Sequence, residues 1–189
     1  MLERTCCFTG HRPQKLPWGE AESGSDFDAF YADLEKEIRN LVLHHDVHHF
    51  ITGMALGSDL YAAEIVLKLE TQGYHVTLEC AIPFPEQTRG WSPEHKKRYQ
   101  DILSTAHRHT LIQDRYSPDC YQRRNRYMVE QSDVVLAIWS GGPGGTAQTV
   151  RYALEQGRAL FVINPRFYRM PYSVKSPEEI RPYRSVSLE

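Results

Sequence analysis

The sequence predicts an α/β protein: a single three-layer, Rossmann-like domain, with a mostly parallel sheet of five to six strands and helices on both faces. Three observations predict it. Short apolar runs alternate with segments of helical period along the chain, the pattern of a parallel sheet buried on both sides. Glycine-bearing turns follow three of those runs. A chain of 189 residues also fits one compact domain and can bury a core without staples.

The elements follow in order. "TCCFTG" reads as a first strand. Residues 25–45 carry Phe27, Phe30, Tyr31, Leu34, Ile38, Leu41 and Val42 at i, i+3, i+4, i+7 spacing, a helix packing one face, with Ser25 or Asp26 as its cap. "HHFITG" is the second strand, and residues 59–72 a helix with Gly73 at its end. "YHVTLECAIPF" (74–84) is the third strand. Ser92-Pro93 opens a helix to about 106 in the N-cap, N1 manner. "HTLIQD" is a short strand, 119–132 a helix, "DVVLAIWS" an apolar strand, 146–156 a helix ended by Gly157, and "ALFVINP" a last strand. The domain is assigned to residues 1–165, and 166–189 to an irregular C-terminal tail.

Composition narrows the function classes. A net charge of −2 gives no global pull toward nucleic acid or an anionic membrane. Cys6, Cys7, Cys80 and Cys120 form no C-x-x-C pair, so neither a disulfide framework nor a zinc knuckle is signalled. Cys6 and Cys7, adjacent on a strand, point to opposite faces as small core residues. No apolar stretch reaches the ~18 residues of a membrane span, and the N-terminus lacks a signal-peptide pattern. The expectation is a cytoplasmic protein without a membrane partner; self-association as a homo-oligomer is left open.

The glycine loops are "FTGHRP", "TGMALGSD" and "SGGPGGT". Each follows a strand, where a parallel sheet puts ligands beyond its carboxyl ends. Two open directly into a helix, whose positive end and free N–H groups suit a phosphate. Any one such loop is equally well a backbone turn; three at one sheet edge point to a phosphate cradle. No G-x-G-x-x-G fingerprint and no P-loop lysine motif is present. No cofactor is required by any motif, and a nucleotide-derived ligand such as NAD or ADP-ribose fits the cradle.

"TGHRP", "ITGMALGSDLYAAE", "IPFPEQTRGW" and the run from "NRYMVEQSD" to "FVINP" resemble the SLOG group of Rossmann-like proteins. That group includes the DNA-processing protein A family, the LOG phosphoribohydrolases and the YpsA-like family, which the chain resembles most. The resemblance implies a nucleotide-binding sheet with its pocket formed by the three loops. By motif position it puts Thr9, Gly10 and Arg12 on the first loop, and Gly53, Gly57 and Asp59 on the second. Gly142, Gly144, Gly145 and Thr146 fall on the third. Arg124 and Asn125 resemble the Asn-Arg step of the DNA-processing relatives, which implies single-stranded DNA as an alternative partner.

Chemistry is less defined than binding. LOG-type loops resemble P-G-G-x-G-T-x-x-E, and alignment on Gly145-Thr146 puts Thr149 at the glutamate position. A threonine cannot act as a carboxylate at a ribosyl cation, so nucleotide N-glycosidic hydrolysis is the alternative reading and no catalytic residue is assigned. Arg12 is the expected phosphate cation, its fork matching two oxygens. Asp59 either reads ribose hydroxyls or caps its helix. Glu86 and Trp91 follow a strand end and are placed at the cleft, Trp91 by stacking on a base or by packing. Arg123, Arg124 and Arg126 spread over about 300° of a helical wheel, so a solvated face is the default. "HHDVHH" at 44–49 lacks a completing carboxylate or cysteine pattern, and no metal site is assigned. "WSGG" is not a serine-hydrolase elbow. The function expected is nucleotide binding in a sensing or regulatory role.

Overall fold

The computed structural model describes residues 3–166 and 172–174. The elements are β1 (Arg4–Gly10), α1 (Ser25–His45), β2 (Val47–Thr52), α2 (Ser58–Thr71), β3 (Thr77–Ile82), α3 (Pro93–Thr105), β4 (Arg108–Leu111), α4 (Cys120–Glu130), β5 (Val134–Ile138), α5 (Gly145–Glu155), β6 (Ala159–Ile163) and β7 (Tyr172–Val174). They build one seven-stranded sheet in the order β4-β3-β2-β1-β5-β6-β7. The first six strands pair in parallel. Among the described residues only β7 pairs antiparallel, with β6. The three-layer α/β class is therefore as the sequence predicts. Within the stretch expected to be an irregular tail, Tyr172–Val174 form β7 along the outer edge of β6; residues 167–171 and 175–189 lie outside the described residues.

Strand alternation divides the interior in two. Cys6 and Phe8 of β1 join Phe50 of β2 and Leu78 of β3 against α1, α2 and α3. Cys7, Ile51 and Ala81 join Val135 and Ala137 of β5 against Met128 of α4 and Val150 and Ala153 of α5. Cys6 and Cys7 thus face opposite layers, and all four cysteines are buried and free. In α1, Phe30, Leu34, Ile38 and Leu41 have no exposed surface. Each contributes roughly 1.5–3 kcal/mol by leaving water.

Local signals account for most boundaries. Ser92 caps α3 by accepting the His95 N–H at 3.2 Å, with Pro93 in its first turn. The expected cap of α1 is corrected. Gly24 takes the N-cap position, and Ser25 and Asp26 lie inside the helix without a capping hydrogen bond. Asp26 and Asp28 act there through the helix dipole instead. The third strand is shorter than its apolar run: Gly73, in a left-handed conformation, ends α2, and residues 74–76 are the approach to β3. The helices divide by face, α1–α3 on one and α4–α5 on the other. Sequence order runs outward from β1 through β2 and β3 to β4, then returns to place β5 on the other side of β1. The β1/β5 boundary is the point where the winding reverses, and parallel sheets open a crevice there.

No helix among the described residues is long and apolar enough to cross a membrane.

Candidate functional site

A cleft of about 300 Å³ opens at that reversal point. Of the expected residues, Thr9, Gly10, Arg12, Asp59, Gly145 and Thr146 line it. The first loop is fastened to both neighbours through His11. Its N–H donates to the Ile138 carbonyl at 3.1 Å, and its own carbonyl accepts from the Ser58 N–H at 3.2 Å and the Ser58 hydroxyl at 2.9 Å. Its ring Nε2 accepts the Ser140 N–H at 3.0 Å and lies 2.8 Å from the Ser140 hydroxyl. One residue therefore holds the ends of β1, α2 and β5 together. Burial, with the nearby charges of Lys15 and Arg166, pushes its imidazole down to about 4, so the ring is neutral at physiological pH.

The second loop is closed from inside. Met54 sits at φ 56, an unusual conformation for a non-glycine residue. It is held by the Thr52 hydroxyl accepting its N–H at 3.2 Å and by Gln87 Nε2 donating to its carbonyl at 2.5 Å. Gly53 lies beneath Arg124, whose Nη1 donates to the Gly53 carbonyl. The close approach explains this glycine, because a Cβ would enter the guanidinium. Gly57 packs on the His11 carbonyl and Pro13. Neither lines the cleft. Asp59 is also not a helix cap: the N-cap is Gly57, with no side-chain hydrogen bond. Its Oδ2 accepts the Ala55 N–H at 3.3 Å and lies 3.7 Å from Arg124. Burial pushes the Asp59 carboxyl up, against the pull of Arg124, and pushes the Arg124 guanidinium down.

The third loop differs from the other two. Gly142 and Gly145 have no atom within 4 Å of where a Cβ would stand. Helix α5 begins there with Gly144 at its N-cap and no side-chain cap, so its first N–H groups face the cleft without a side-chain acceptor. The loop is braced by the Trp139 indole donating to the Gly142 carbonyl at 2.8 Å and by Lys15 Nζ donating to the Pro143 carbonyl at 3.0 Å. Gly142 and Gly144 belong to this loop but lie outside the lining.

Charge in the cleft is one-sided. Among the described residues Arg12, Lys15 and Arg124 line it, against Asp59 as the one carboxylate. Arg12 is exposed and lies over the Tyr121 ring, 5.4 Å from its centroid, a geometry that steadies the guanidinium without occupying its N–H groups. Sequence reasoning missed His11, Lys15 and Tyr121. The first two sit within "TGHRPQK", so position beside the motif was their only signal. Arg124 and Asn125, implied by resemblance, do reach the cleft.

Besides those four glycines, Glu86 and Trp91 do not reach it either. Glu86 is exposed, and its neighbour Gln87, 5% exposed, is the one turned inward to loop two. Trp91 packs edge-on to Tyr99, with ring centroids 5.8 Å apart, against the core of the α1–α3 face. The alternative held open for it, packing rather than stacking, is what the structure shows. Thr149 is 4% exposed; its hydroxyl donates to the Gly145 carbonyl at 3.0 Å and accepts from Asn125 at 2.9 Å.

The model of the YspA SLOG family matches residues 6–159. The chain belongs to that family. The YspA SLOG match spans all three loops, and so agrees with the resemblance read from the motifs. YoqJ, named as an uncharacterized SPbeta prophage-derived protein of Bacillus subtilis (strain 168), is 30% identical over 144 residues, covering 69% of this chain and 84% of YoqJ. A UPF0398 protein of Bacillus thuringiensis (strain Al Hakam) is 32% identical over 105 residues, covering 54% of this chain and 57% of that protein. The chain thus matches little more than half of the UPF0398 protein's length.

Two solved structures share the fold. DNA processing protein A of Streptococcus pneumoniae aligns with a TM-score of 0.57 at 18% identity, covering 86% of this chain and 50% of that one. The Helicobacter pylori protein of the same name, described for its single-stranded DNA binding mode, aligns with a TM-score of 0.56 at 16% identity, covering 85% and 65%.

Proposed function

We propose that this member of the YspA SLOG family binds a nucleotide or nucleotide-derived ligand, such as NAD or ADP-ribose, by its phosphate. The observation that carries the reading is the uncapped start of α5 at Gly145 and Thr146, facing Arg12, Lys15 and Arg124 across one cleft. Free N–H groups at a helix start and guanidinium forks are the donors a phosphate needs. Arg12 is the entering cation, and Asp59 at the floor is the acceptor for a ribose hydroxyl. The role is sensing or regulation rather than turnover. Among the described residues Asp59 is the one carboxylate of the lining and is engaged with Ala55 and Arg124, while Thr149 supplies no carboxylate. Four buried cysteines without a disulfide between them fit a cytoplasmic setting.

Thermal unfolding with AMP, ADP, NAD, ADP-ribose and a cyclic nucleotide tests this reading. A true ligand at 100 times its Kd adds about 2.7 kcal/mol, a rise of roughly 5–10 °C for a domain of this size. Arg12→Ala is expected to reduce that rise by weakening the phosphate contact. A flat response to the whole panel would sink the proposal.

A further inference from the structure

A second cavity of about 260 Å³ lies between α4 and α5. It is lined by Gln122, Asn125 and Arg126 of α4 and by Gln148, Thr149, Arg151, Tyr152 and Glu155 of α5. Asn125 lines both this groove and the loop cleft, so the two are neighbouring compartments. Asn125 is fixed: its Oδ1 accepts from Arg124 Nε at 2.8 Å and its amide donates to Thr149 at 2.9 Å. The divider therefore has a set position.

We infer that the α4–α5 groove is a second subsite, and that the ligand carries a second nucleotide unit beyond the one whose phosphate enters the cleft. The inference rests on the phosphate reading above and adds the size and shape of the ligand. The loop cleft alone, at about 300 Å³, stands at the bottom of the usual range for ligand pockets, about 300–1,000 Å³; the groove offers about 260 Å³ more on the other side of Asn125. The lining suits a nucleotide. Among the described residues Arg126 and Arg151 make no ion pair with a carboxylate, which leaves both cations for a phosphate. Gln122 and Gln148 each offer a donor and an acceptor to a base edge. The Tyr152 ring, with Arg126 5.7 Å from its centroid, is the kind of face on which bases stack. It is oriented by its hydroxyl donating to Glu130 at 2.6 Å. Glu155 is the one acidic side chain among the described residues of the lining, set against the two arginines.

The second unit can come from a small dinucleotide or from the next residue of a single strand; both present a base and a phosphate at the same place. Calorimetric titration with AMP, NAD and a 5′-phosphorylated deoxyadenylate octamer separates these sources. The proposal expects NAD or the octamer to bind at least about tenfold tighter than AMP, or about 1.4 kcal/mol. NAD showing the gain identifies a dinucleotide, and the octamer alone showing it identifies a strand. Arg151→Glu and Gln148→Ala should each shrink that gain while leaving AMP affinity within about twofold. Arg151 is exposed, so its replacement leaves the fold intact. Lys97→Glu, on α3 and the other face of the sheet, should keep the gain and so exclude a general charge effect. AMP binding without any gain for the longer ligands would overturn the second subsite and leave the cleft reading standing. A gain that survives in both groove variants would overturn it equally. No binding by any of the three would remove the phosphate reading and this one with it.

Discussion

Arg124 makes the residue-scale point that a glycine in a motif need not be there for a ligand. Its guanidinium occupies the space over Gly53, donates to the Gly53 carbonyl and faces Asp59. Gly53→Ala should displace the guanidinium and leave buried polar groups short of partners, costing about 1–3 kcal/mol. Chemical denaturation should show this as a lower midpoint. Gly142→Ala, with open space around it and no positive φ, should stay within about 0.5 kcal/mol of the parent. The sequence shows both as glycines in strand-end loops and carries nothing to separate them. The same limit explains Glu86. A turn after "IPFP" puts one of two adjacent polar residues inward, and only the tertiary contact of Gln87 with the Gly53 and Met54 carbonyls decides which. Arg12, Asp59 and Thr146 were legible because strand ends and helix starts fix them locally. Lys15 and Tyr121 depend on contacts with residues far away in sequence, Pro143 and Arg12, and were not.

At the scale of elements, Glu79 ties β3 to three neighbours. It is 1% exposed and accepts from the Thr110 hydroxyl of β4 at 2.7 Å and the Tyr127 hydroxyl of α4 at 2.6 Å. His49 of β2 lies 3.2 Å away and Arg108 of β4 3.6 Å. Burial alone would raise its carboxyl, but the hydrogen bonds from His49, Tyr127 and Thr110 outweigh it and bring it down to about 2. A carboxyl lowered on folding contributes stability that is complete above its unfolded value of 4.5 and is lost as pH falls toward the folded value. Unfolding free energy should therefore decline between about pH 4.5 and 2, with up to about 3 kcal/mol from this group. Glu79→Gln should be less stable at neutral pH and flatter over that window. This cluster also accounts for one histidine of the 44–49 run: His49 serves the sheet, through Thr77 at 2.8 Å and Glu79. Helix and parallel-strand existence were legible from period and apolar runs. Strand β7 was not, since three residues are too short for any period to show.

For the whole molecule, the sheet is the shared wall of two cores. Successive residues of β1 and β5 enter opposite layers, so neither layer can come apart without the strands that build the other. Leu34→Ala in one core and Met128→Ala in the other should each cost about 2–5 kcal/mol. Both should lower a single calorimetric transition. Two separable peaks would show that the layers unfold independently. Fold class was readable at this scale because alternation of strand and helix is a property of the chain's order. The position of the groove between α4 and α5 was not, because it depends on how two helices lie across one sheet face.

The reversal of winding between β1 and β5 has a consequence for how this site tolerates change. The opening exists because consecutive strands depart in opposite directions, a matter of route rather than of any lining side chain. Thr149 illustrates the separation: the residue is packed and hydrogen-bonded in α5, and it stands outside the lining of the cleft. Route makes the vessel and side chains choose its contents, so the contents can be exchanged without breaking the vessel.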